Sequence, residues 1–318
     1  AARALAPLAP LAPIAASALI ASGCTTDFFV GQIVATPNYH RAIDTTPEAD
    51  RREREWMKSD SFLRVPVGPP EASLGAWIFE PPAPPLGTIL VLHGIADGPF
   101  WMRDKARALA KHGYRAVLVG LRGYGASSGD FRGFGVIERE DLVQVVDEID
   151  RRGLLDGPLG VWGMSYGGAV AIMYAGHDPR VRAVVTVGAF ASMRMAVPHT
   201  LELFFPIPGL LMSESEQDRL VAMAAAIAGF SANDAAAEVA IAKTSAPVLL
   251  VHGDWDWIVP YENGERLHAA APDHSELVRL PATGHFGSYW DVGGEVERRS
   301  FEWFDRHLAA PAPGAASP

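Results

Sequence analysis

The amino-acid sequence predicts an α/β domain built on a mostly parallel β-sheet. From residue 88 onwards, short apolar runs alternate with amphipathic segments, a pattern typical of strands joined by crossover helices. One long segment between two predicted strands, residues 190–243, has no strand pattern. The sequence therefore predicts a sheet with helices on both faces and a helical lid inserted between two strands.

Eight strands and six helices are predicted outside the insertion. Residues 88–92 are apolar throughout, as in a strand buried on both faces. Leu142, Val145, Val146 and Ile149 recur at helical spacing. The predicted strands are residues 62–67, 74–79, 88–92, 116–119, 159–162, 183–187, 248–251 and 277–280, and the predicted helices are 48–58, 102–112, 136–151, 166–176, 262–271 and 293–308.

The insertion combines an apolar, proline-punctuated stretch at residues 203–208 with an Ala-rich helical run near 217–228. A long helical excursion between two sheet strands is typical of a lid over a binding site. The other interpretation is a packed structural excursion with no role at a site.

The composition excludes nucleic acid as a partner. The 318-residue chain is 49% hydrophobic and 20% charged, which is ordinary for a globular protein. Its formal net charge of −10 repels polyanions, and no Lys/Arg-rich stripe offsets that charge.

The single cysteine, Cys24, ends an uncharged Ala/Leu/Pro-rich stretch at residues 4–22 that follows Arg3. The small residues before it resemble the lipobox of bacterial lipoproteins. That resemblance implies a signal peptide, lipidation of Cys24 and an anchor in the bacterial cell envelope. The alternative is an unstructured leader on a secreted or cytoplasmic protein. We accordingly divide the chain into a leader and tether, residues 1–45, and a folded domain, residues 46–318.

The strongest local motif is Gly163-Met164-Ser165-Tyr166-Gly167, which lies where a predicted strand ends and a helix begins. In that context the motif is typical of a nucleophile elbow, because flanking glycines permit the strained turn that exposes the serine hydroxyl. Ser165 is therefore the predicted nucleophile.

A serine hydroxyl needs a base and an acid to orient that base. His285 follows the strand at 277–280 and is the predicted base, whereas His93 and His252 are assigned structural roles. The acid should lie between serine and histidine in the chain. Asp254 and Asp256 both qualify, and Asp256 is favoured because Asp254 follows its strand too closely.

From about residue 88 to 308 the chain resembles the α/β-hydrolases, in particular the lysophospholipase-like or serine-aminopeptidase-like branch. Besides the elbow, His93-Gly94-Ile95, the loop at 121–127 and Gly284-His285 carry the resemblance, although Gly120 replaces an aspartate usual in the family. The resemblance implies an α/β-hydrolase fold with a mostly parallel eight-stranded sheet. It also implies that the backbone N–H groups of Ile95 and Tyr166 form an oxyanion hole.

These residues predict a serine hydrolase acting on small carboxylic esters of short or medium chain length, or on aryl esters, without a metal or organic cofactor. Aromatic residues on the loops near the predicted site suggest a hydrophobic substrate pocket. The predicted lining residues are Phe100, Trp101, Trp257 and Phe286.

Two rival functions remain open. A peptidase or amidase would need a carboxylate in the insertion to hold a substrate amine, and Glu202, Glu214 and Glu216 are available there. A non-catalytic, membrane-tethered binding protein could also use this scaffold. The sequence does not determine the oligomeric state.

Overall fold

A computed structural model describes residues 30–96, 98–204 and 212–308. Its centre is one eight-stranded sheet with strand order β1-β2-β4-β3-β5-β6-β7-β8, which confirms the predicted sheet. The strands are β1 Ser61–Val67, β2 Ala72–Phe79, β3 Thr88–Leu92, β4 Arg115–Val119, β5 Leu159–Met164, β6 Val181–Val187, β7 Val248–Gly253 and β8 Ser275–Leu280.

Seven of the eight strands run in the same direction, and only β2 is reversed. Strand β2 pairs antiparallel with both β1 and β4, whereas β4, β3, β5, β6, β7 and β8 form parallel pairs throughout. The carboxyl ends of the six adjacent parallel strands therefore meet at one edge of the sheet, where α/β proteins usually bind their ligands.

Helices cover both faces of the sheet, because each face carries apolar side chains that must be removed from water. On one face, α2 and α10 share a core with Trp77, Ile89 and Val185. On the other, α3, α4 and α8 pack on Leu90, Val161 and Val184. The helices are α1 Pro47–Met57, α2 Arg103–His112, α3 Val136–Arg151, α4 Tyr166–Ala175, α5 Met193–Phe204, α6 Glu214–Ile227, α7 Ala237–Ile241, α8 Glu262–Ala270, α9 His285–Trp290 and α10 Glu295–Leu308.

The predicted insertion lies between β6 and β7 and contributes helices α5, α6 and α7. Its described residues contain an isolated bridge between Ser192 and Ala236 and no named strand, as predicted. The proline-punctuated stretch falls largely outside the described residues.

The predicted boundary at residue 45 between tether and domain is wrong. Val30 and Val34 are fully buried in the core. The side chain of Asn38 donates hydrogen bonds to the carbonyl oxygens of Gly125 and Ser127, at 3.0 and 2.9 Å. Residues 30–38, here called the N-terminal segment, thus belong to the folded domain. Short sequence patterns miss this because both its partners, the core and the loop after β4, are distant in the chain.

Cys24 and the apolar stretch before it lie outside the described residues. Across the described ranges, every helix is too short or too polar to cross a lipid bilayer.

Candidate active site

Ser165 occupies a sharp turn between β5 and α4, at the carboxyl edge of the sheet. Its φ of 53° and ψ of −115° lie outside the conformations that residues with a Cβ normally adopt. The backbone N–H of Ser165 donates to the carbonyl of Val187 at the end of β6, at 2.8 Å, and this bond holds the turn. The structure therefore has the geometry predicted for the elbow.

The glycines on either side of Ser165 are required by close packing. A Cβ on Gly163 would lie 2.2 Å from the carbonyl oxygen of Gly167. A Cβ on Gly167 would lie 2.5 Å from the carbonyl oxygen of Leu92 at the end of β3. Because no side chain fits at either position, α4 can start directly against the strands that flank the turn.

Asp256 and His285 form a short, buried hydrogen bond. Nδ1 of His285 lies 2.6 Å from Oδ2 of Asp256, and both residues are less than one tenth exposed. The other carboxylate oxygen of Asp256 accepts from the backbone N–H groups of Ile258 and Val259, at 3.0 and 2.8 Å. These bonds fix the carboxylate and leave Nε2 as the ring nitrogen available for chemistry.

The alternative acid, Asp254, pairs with Arg279 rather than with His285. Its carboxylate accepts two hydrogen bonds from the guanidinium of Arg279, at 2.8 and 3.0 Å. Asp254 therefore braces the end of β7 against β8, consistent with the structural role that its position in the sequence suggested.

The turn after β6 connects the elbow to the histidine–aspartate pair. A Cβ on Gly188 would lie 3.2 Å from Cε1 and Nδ1 of His285 and 3.3 Å from Oδ2 of Asp256. Gly188 directly follows Val187, whose carbonyl holds the backbone of Ser165. The structure thus places the elbow of Ser165 and the His285–Asp256 pair around the same turn at the carboxyl edge of the sheet.

His285 is the first residue of α9. The sequence had instead suggested that it lies in a loop. The helix has only six residues, which is too short for a periodic pattern to reveal.

His93 and His252 are buried and have structural partners. Nε2 of His93 accepts the backbone N–H of Leu121 at 3.0 Å, while Nδ1 lies 2.8 Å from the carbonyl of Gly94. Burial lowers the pKa of His93 to about 4, so the ring is neutral. Burial also lowers the pKa of His252, whose Nε2 lies 2.8 Å from the carbonyl of Val259. Both rings join strand ends to their loops.

Ile95 and Tyr166, the predicted oxyanion-hole residues, both lie beside Ser165. Tyr166 is the first residue of α4, so its backbone N–H has no acceptor within the helix. The carbonyl of Ile95 accepts the hydroxyl of Tyr124 at 2.8 Å, which orients the loop after β3. Both residues line one cavity together with Ser165.

Gly120, where the resembling family has an aspartate, has no room for a side chain. A Cβ there would lie 2.8 Å from Oγ of Ser127. That hydroxyl donates to the carbonyl of Gly120 at 2.7 Å and accepts from the N–H of Gly75 at 2.9 Å. Ser127 therefore braces this loop.

The cavity at Ser165 has a volume of about 190 Å³ and a mostly apolar wall. It is smaller than the roughly 300–1,000 Å³ of sites for drug-sized ligands. Four parts of the chain form it, namely the sheet edge, insertion helix α5, the N-terminal segment and the loop between β4 and α3. The lining includes Ile95, Ser165, Tyr166 and Ile258 from the first part, Met195, Val197 and Leu201 from the second, and Gln32 and Ile33 from the third.

None of the four aromatic residues predicted to line the pocket lines this cavity. Trp101, Trp257 and Phe286 are at least half exposed, and Phe100 stacks on Trp56 with the ring centroids 4.6 Å apart. These four residues follow strands that end at the site, as predicted. The position of a residue along a loop does not, however, determine where its side chain points. The actual lining residues of α5 and the N-terminal segment were missed because their partners are remote in sequence.

The insertion carboxylates that a peptidase would use do not line the cavity. Glu216 accepts from the backbone N–H of Ser213 at 2.7 Å and caps the start of α6. Glu202 is an acceptor for the side chain of Gln217 at 3.4 Å. Neither of these, nor Glu214, is among the described residues that line the cavity. The described residues contain no cluster of three potential metal ligands.

A model of the prolyl oligopeptidase family matches residues 100–311, well over half of this chain. The chain belongs to the prolyl oligopeptidase family. It is therefore a hydrolase with the α/β-hydrolase fold, which confirms the predicted fold and superfamily. The motifs had predicted this superfamily through their resemblance to its lysophospholipase-like or serine-aminopeptidase-like branch.

Relatives of this prolyl oligopeptidase family member include two bacterial proteins. The uncharacterized protein YfhR of Escherichia coli K12 is 24% identical over 67% of this chain and 68% of its own length. A thermostable monoacylglycerol lipase of Bacillus sp. H-257 is 25% identical over 70% of this chain and 92% of its own length. Among solved structures, an esterase of Pyrococcus furiosus shares the fold with a TM-score of 0.65 and 17% identity, covering 86% of this chain and 98% of the esterase.

Proposed function

We propose that this chain is a serine esterase that hydrolyses short- to medium-chain or aryl carboxylic esters through Ser165, His285 and Asp256. The observation that carries the proposal is the 2.6 Å hydrogen bond between His285 and Asp256, packed against the turn that holds the elbow of Ser165. This is the arrangement by which a serine hydroxyl becomes nucleophilic at neutral pH.

Acylation begins when the hydroxyl oxygen of Ser165 bonds to the ester carbonyl carbon and its proton passes to Nε2 of His285. Asp256 supports this step because its bond to Nδ1 selects the tautomer with a free Nε2 and stabilises the imidazolium that forms. The negative charge on the carbonyl oxygen is stabilised by the N–H groups of Ile95 and Tyr166. The ester C–O bond then breaks, and His285 returns the proton to the departing alcohol.

Deacylation repeats these steps with water as the nucleophile. His285 takes a proton from water, the new bond forms at the acyl carbon, and Ser165 leaves with the proton. Each oxyanion donor in such a site typically contributes about 10²–10³ to the rate.

The cavity favours an ester over a substrate with a free amino terminus. Its wall is mostly apolar, and the described residues that line it include no carboxylate to bind an amine. Its small volume favours a short acyl group. The second candidate function is an amidase or peptidase, and the family to which the chain belongs favours it.

The test compares 4-nitrophenyl butyrate with the matched 4-nitroanilide of butyric acid. We expect wild-type enzyme to hydrolyse the ester, whereas Ser165→Ala loses at least about 10⁴ of the rate. Ser231→Ala, which removes an exposed serine hydroxyl of the insertion, serves as the control. A preference for the anilide would favour the amidase, and equal rates for wild type and Ser165→Ala would refute both functions.

A fluorophosphonate probe tests the nucleophile independently of the substrate. Mass mapping should find the adduct on the peptide that contains Ser165. No adduct, or an adduct on another serine, would contradict this assignment and would favour a non-catalytic binding protein.

We also propose that Cys24 is lipidated and that the domain is anchored in the bacterial cell envelope. The uncharged stretch at residues 4–22 and the small residues before the thiol support this. In a bacterial host, the full chain should appear in the membrane fraction and Cys24→Ser should not. Equal distribution of the two proteins would refute the anchor.

A further inference from the structure

Arg132 introduces a permanent charge into the otherwise mostly apolar cavity at Ser165. It lies in the loop between β4 and α3 and lines the same cavity as the proposed nucleophile. Among the described residues that line this cavity, no other side chain is an arginine or lysine, and none is an aspartate or glutamate.

The guanidinium of Arg132 is only partly used by the protein. One terminal nitrogen, Nη2, donates to the carbonyl of Ala35 in the N-terminal segment. Nε is buried and has no hydrogen-bond partner within the described part of the chain. No carboxylate oxygen among the described residues lies within 4.0 Å of a side-chain nitrogen of Arg132, so the guanidinium forms no ion pair with them.

The neighbouring buried carboxylate, Glu138, is occupied elsewhere. Its oxygens accept the hydroxyl of Tyr166 at 2.7 Å and the backbone N–H groups of Gly133 and Gly135 at 2.8 and 2.9 Å. Glu138 therefore fixes the start of α3 and leaves the guanidinium without a hydrogen-bonded counter-ion in the site.

A half-buried guanidinium without a counter-ion is suited to bind an anion from outside the chain. Desolvation of an unpaired charge is unfavourable, and an arriving carboxylate offsets that cost. Guanidinium groups bind carboxylates through two parallel N–H donors, which gives affinity as well as orientation.

The cavity receives the acyl part of the ester rather than the alcohol. Ser165, Ile95 and Tyr166 line it, whereas His285, which returns a proton to the alcohol, does not. An alcohol that leaves on the side of His285 therefore departs away from the cavity, and the acyl chain extends into it towards Arg132.

We propose that Arg132 determines specificity by binding a carboxylate at the far end of the acyl chain. The preferred substrates are then monoesters of short dicarboxylic acids. This inference rests on the proposed esterase function, and it adds the chemical class of the acyl group.

The test measures kcat/KM for 4-nitrophenyl hemiglutarate and for 4-nitrophenyl pentanoate, corrected for hydrolysis without enzyme. Both acyl groups have five carbons, and only the first ends in a carboxylate. We expect Arg132→Gln to lower the ratio of hemiglutarate to pentanoate activity by about 10–100-fold, the effect of losing a charged hydrogen bond. Arg132→Lys should recover part of that ratio, and pentanoate hydrolysis should change by less than about threefold.

Arg194→Gln is the matched control, because Arg194 is a nearby cation on α5 that pairs with Asp218 and does not line the cavity. It should leave the ratio unchanged. An unchanged ratio in Arg132→Gln, or an equal fall in Arg194→Gln, would overturn the inference while leaving the esterase intact.

If wild-type protein hydrolyses neither ester, the proposed esterase function is refuted instead. The role of Arg132 is then decided by binding alone, since glutarate should raise the melting temperature of wild type and of Arg194→Gln. An equal rise in Arg132→Gln would contradict the inference.

Discussion

The two sides of the cavity are built in different ways. On the sheet side, backbone hydrogen bonds hold the elbow of Ser165, the carboxylate of Asp256 and the ring of His93. On the other side, α5 and the N-terminal segment contribute mainly apolar side chains. The sheet side therefore fixes where the chemistry occurs, and the opposite side determines which acyl group fits.

The largest expected effect is that of Asp256→Asn, which tests the sheet side. Without the charge, His285 is no longer held in the tautomer with a free Nε2, and kcat for butyrate hydrolysis should fall by about 10⁴. Asp254→Asn removes the neighbouring carboxylate, which binds Arg279, and should change kcat by less than about threefold. Similar losses of kcat in the two variants would contradict the assignment of Asp256, rather than Asp254, as the acid that orients His285.

Gly163→Ala tests whether close backbone packing supports the elbow. The added methyl group would lie 2.2 Å from the carbonyl of Gly167, so the free energy of unfolding should fall by about 3 kcal/mol. Gly293→Ala, where a Cβ meets nothing within 4 Å, should change it by less than about 0.5 kcal/mol. Denaturant titrations measure both, and equal stabilities would contradict the packing argument.

The buried ring of His93 predicts a pH dependence of stability. Burial lowers its pKa to about 4 in the folded protein, whereas an unfolded histidine titrates near 6.5. As pH falls from 6.5 to 4, the His93 side chain binds a proton in the unfolded chain but remains neutral in the folded chain. Stability should therefore decrease by about 3 kcal/mol over that range.

The variant His93→Gln removes this titration and should flatten the corresponding part of the stability curve. His177→Gln, which removes a more exposed histidine paired with Glu140, should keep the wild-type slope between pH 6.5 and 4. A wild-type slope in His93→Gln would mean that other groups cause the acid sensitivity.

The smallest effect is expected on the insertion side. Met195→Ala removes part of the cavity wall, and kcat/KM for 4-nitrophenyl pentanoate should fall about fivefold, the equivalent of about 1 kcal/mol. Hydrolysis of the acetate ester should change less, because its acyl group is shorter. Met223→Ala in α6, outside the cavity, is the control. Equal losses for both esters would indicate that α5 affects the elbow itself.

The sequence was sufficient for the sheet side because its features are local. A Gly-x-Ser-x-Gly run between a strand and a helix defines one turn, and the loops after β7 and β8 each follow a buried strand. Parallel strands then bring these loops to one edge. Each step depends on neighbours in the chain, so the residue pattern was informative for all eight strands.

The opposite side could not be predicted because it depends on contacts between distant residues. Arg132 meets Ala35, and Phe100 stacks on Trp56 instead of turning inwards. Such contacts leave no periodic signal in either segment. The N-terminal segment looked like a tether for the same reason, since its buried residues have partners far along the chain.

The N-terminal segment has a practical consequence for anyone who shortens this protein. Recombinant expression that starts at residue 46 would discard Gln32 and Ile33 from the cavity and the acceptor carbonyl of Ala35 from Arg132. Such a fragment would keep Ser165 but lack part of the cavity wall. Its measured preference among acyl chains would therefore not represent that of the intact domain. Trimming should therefore stop before Val30.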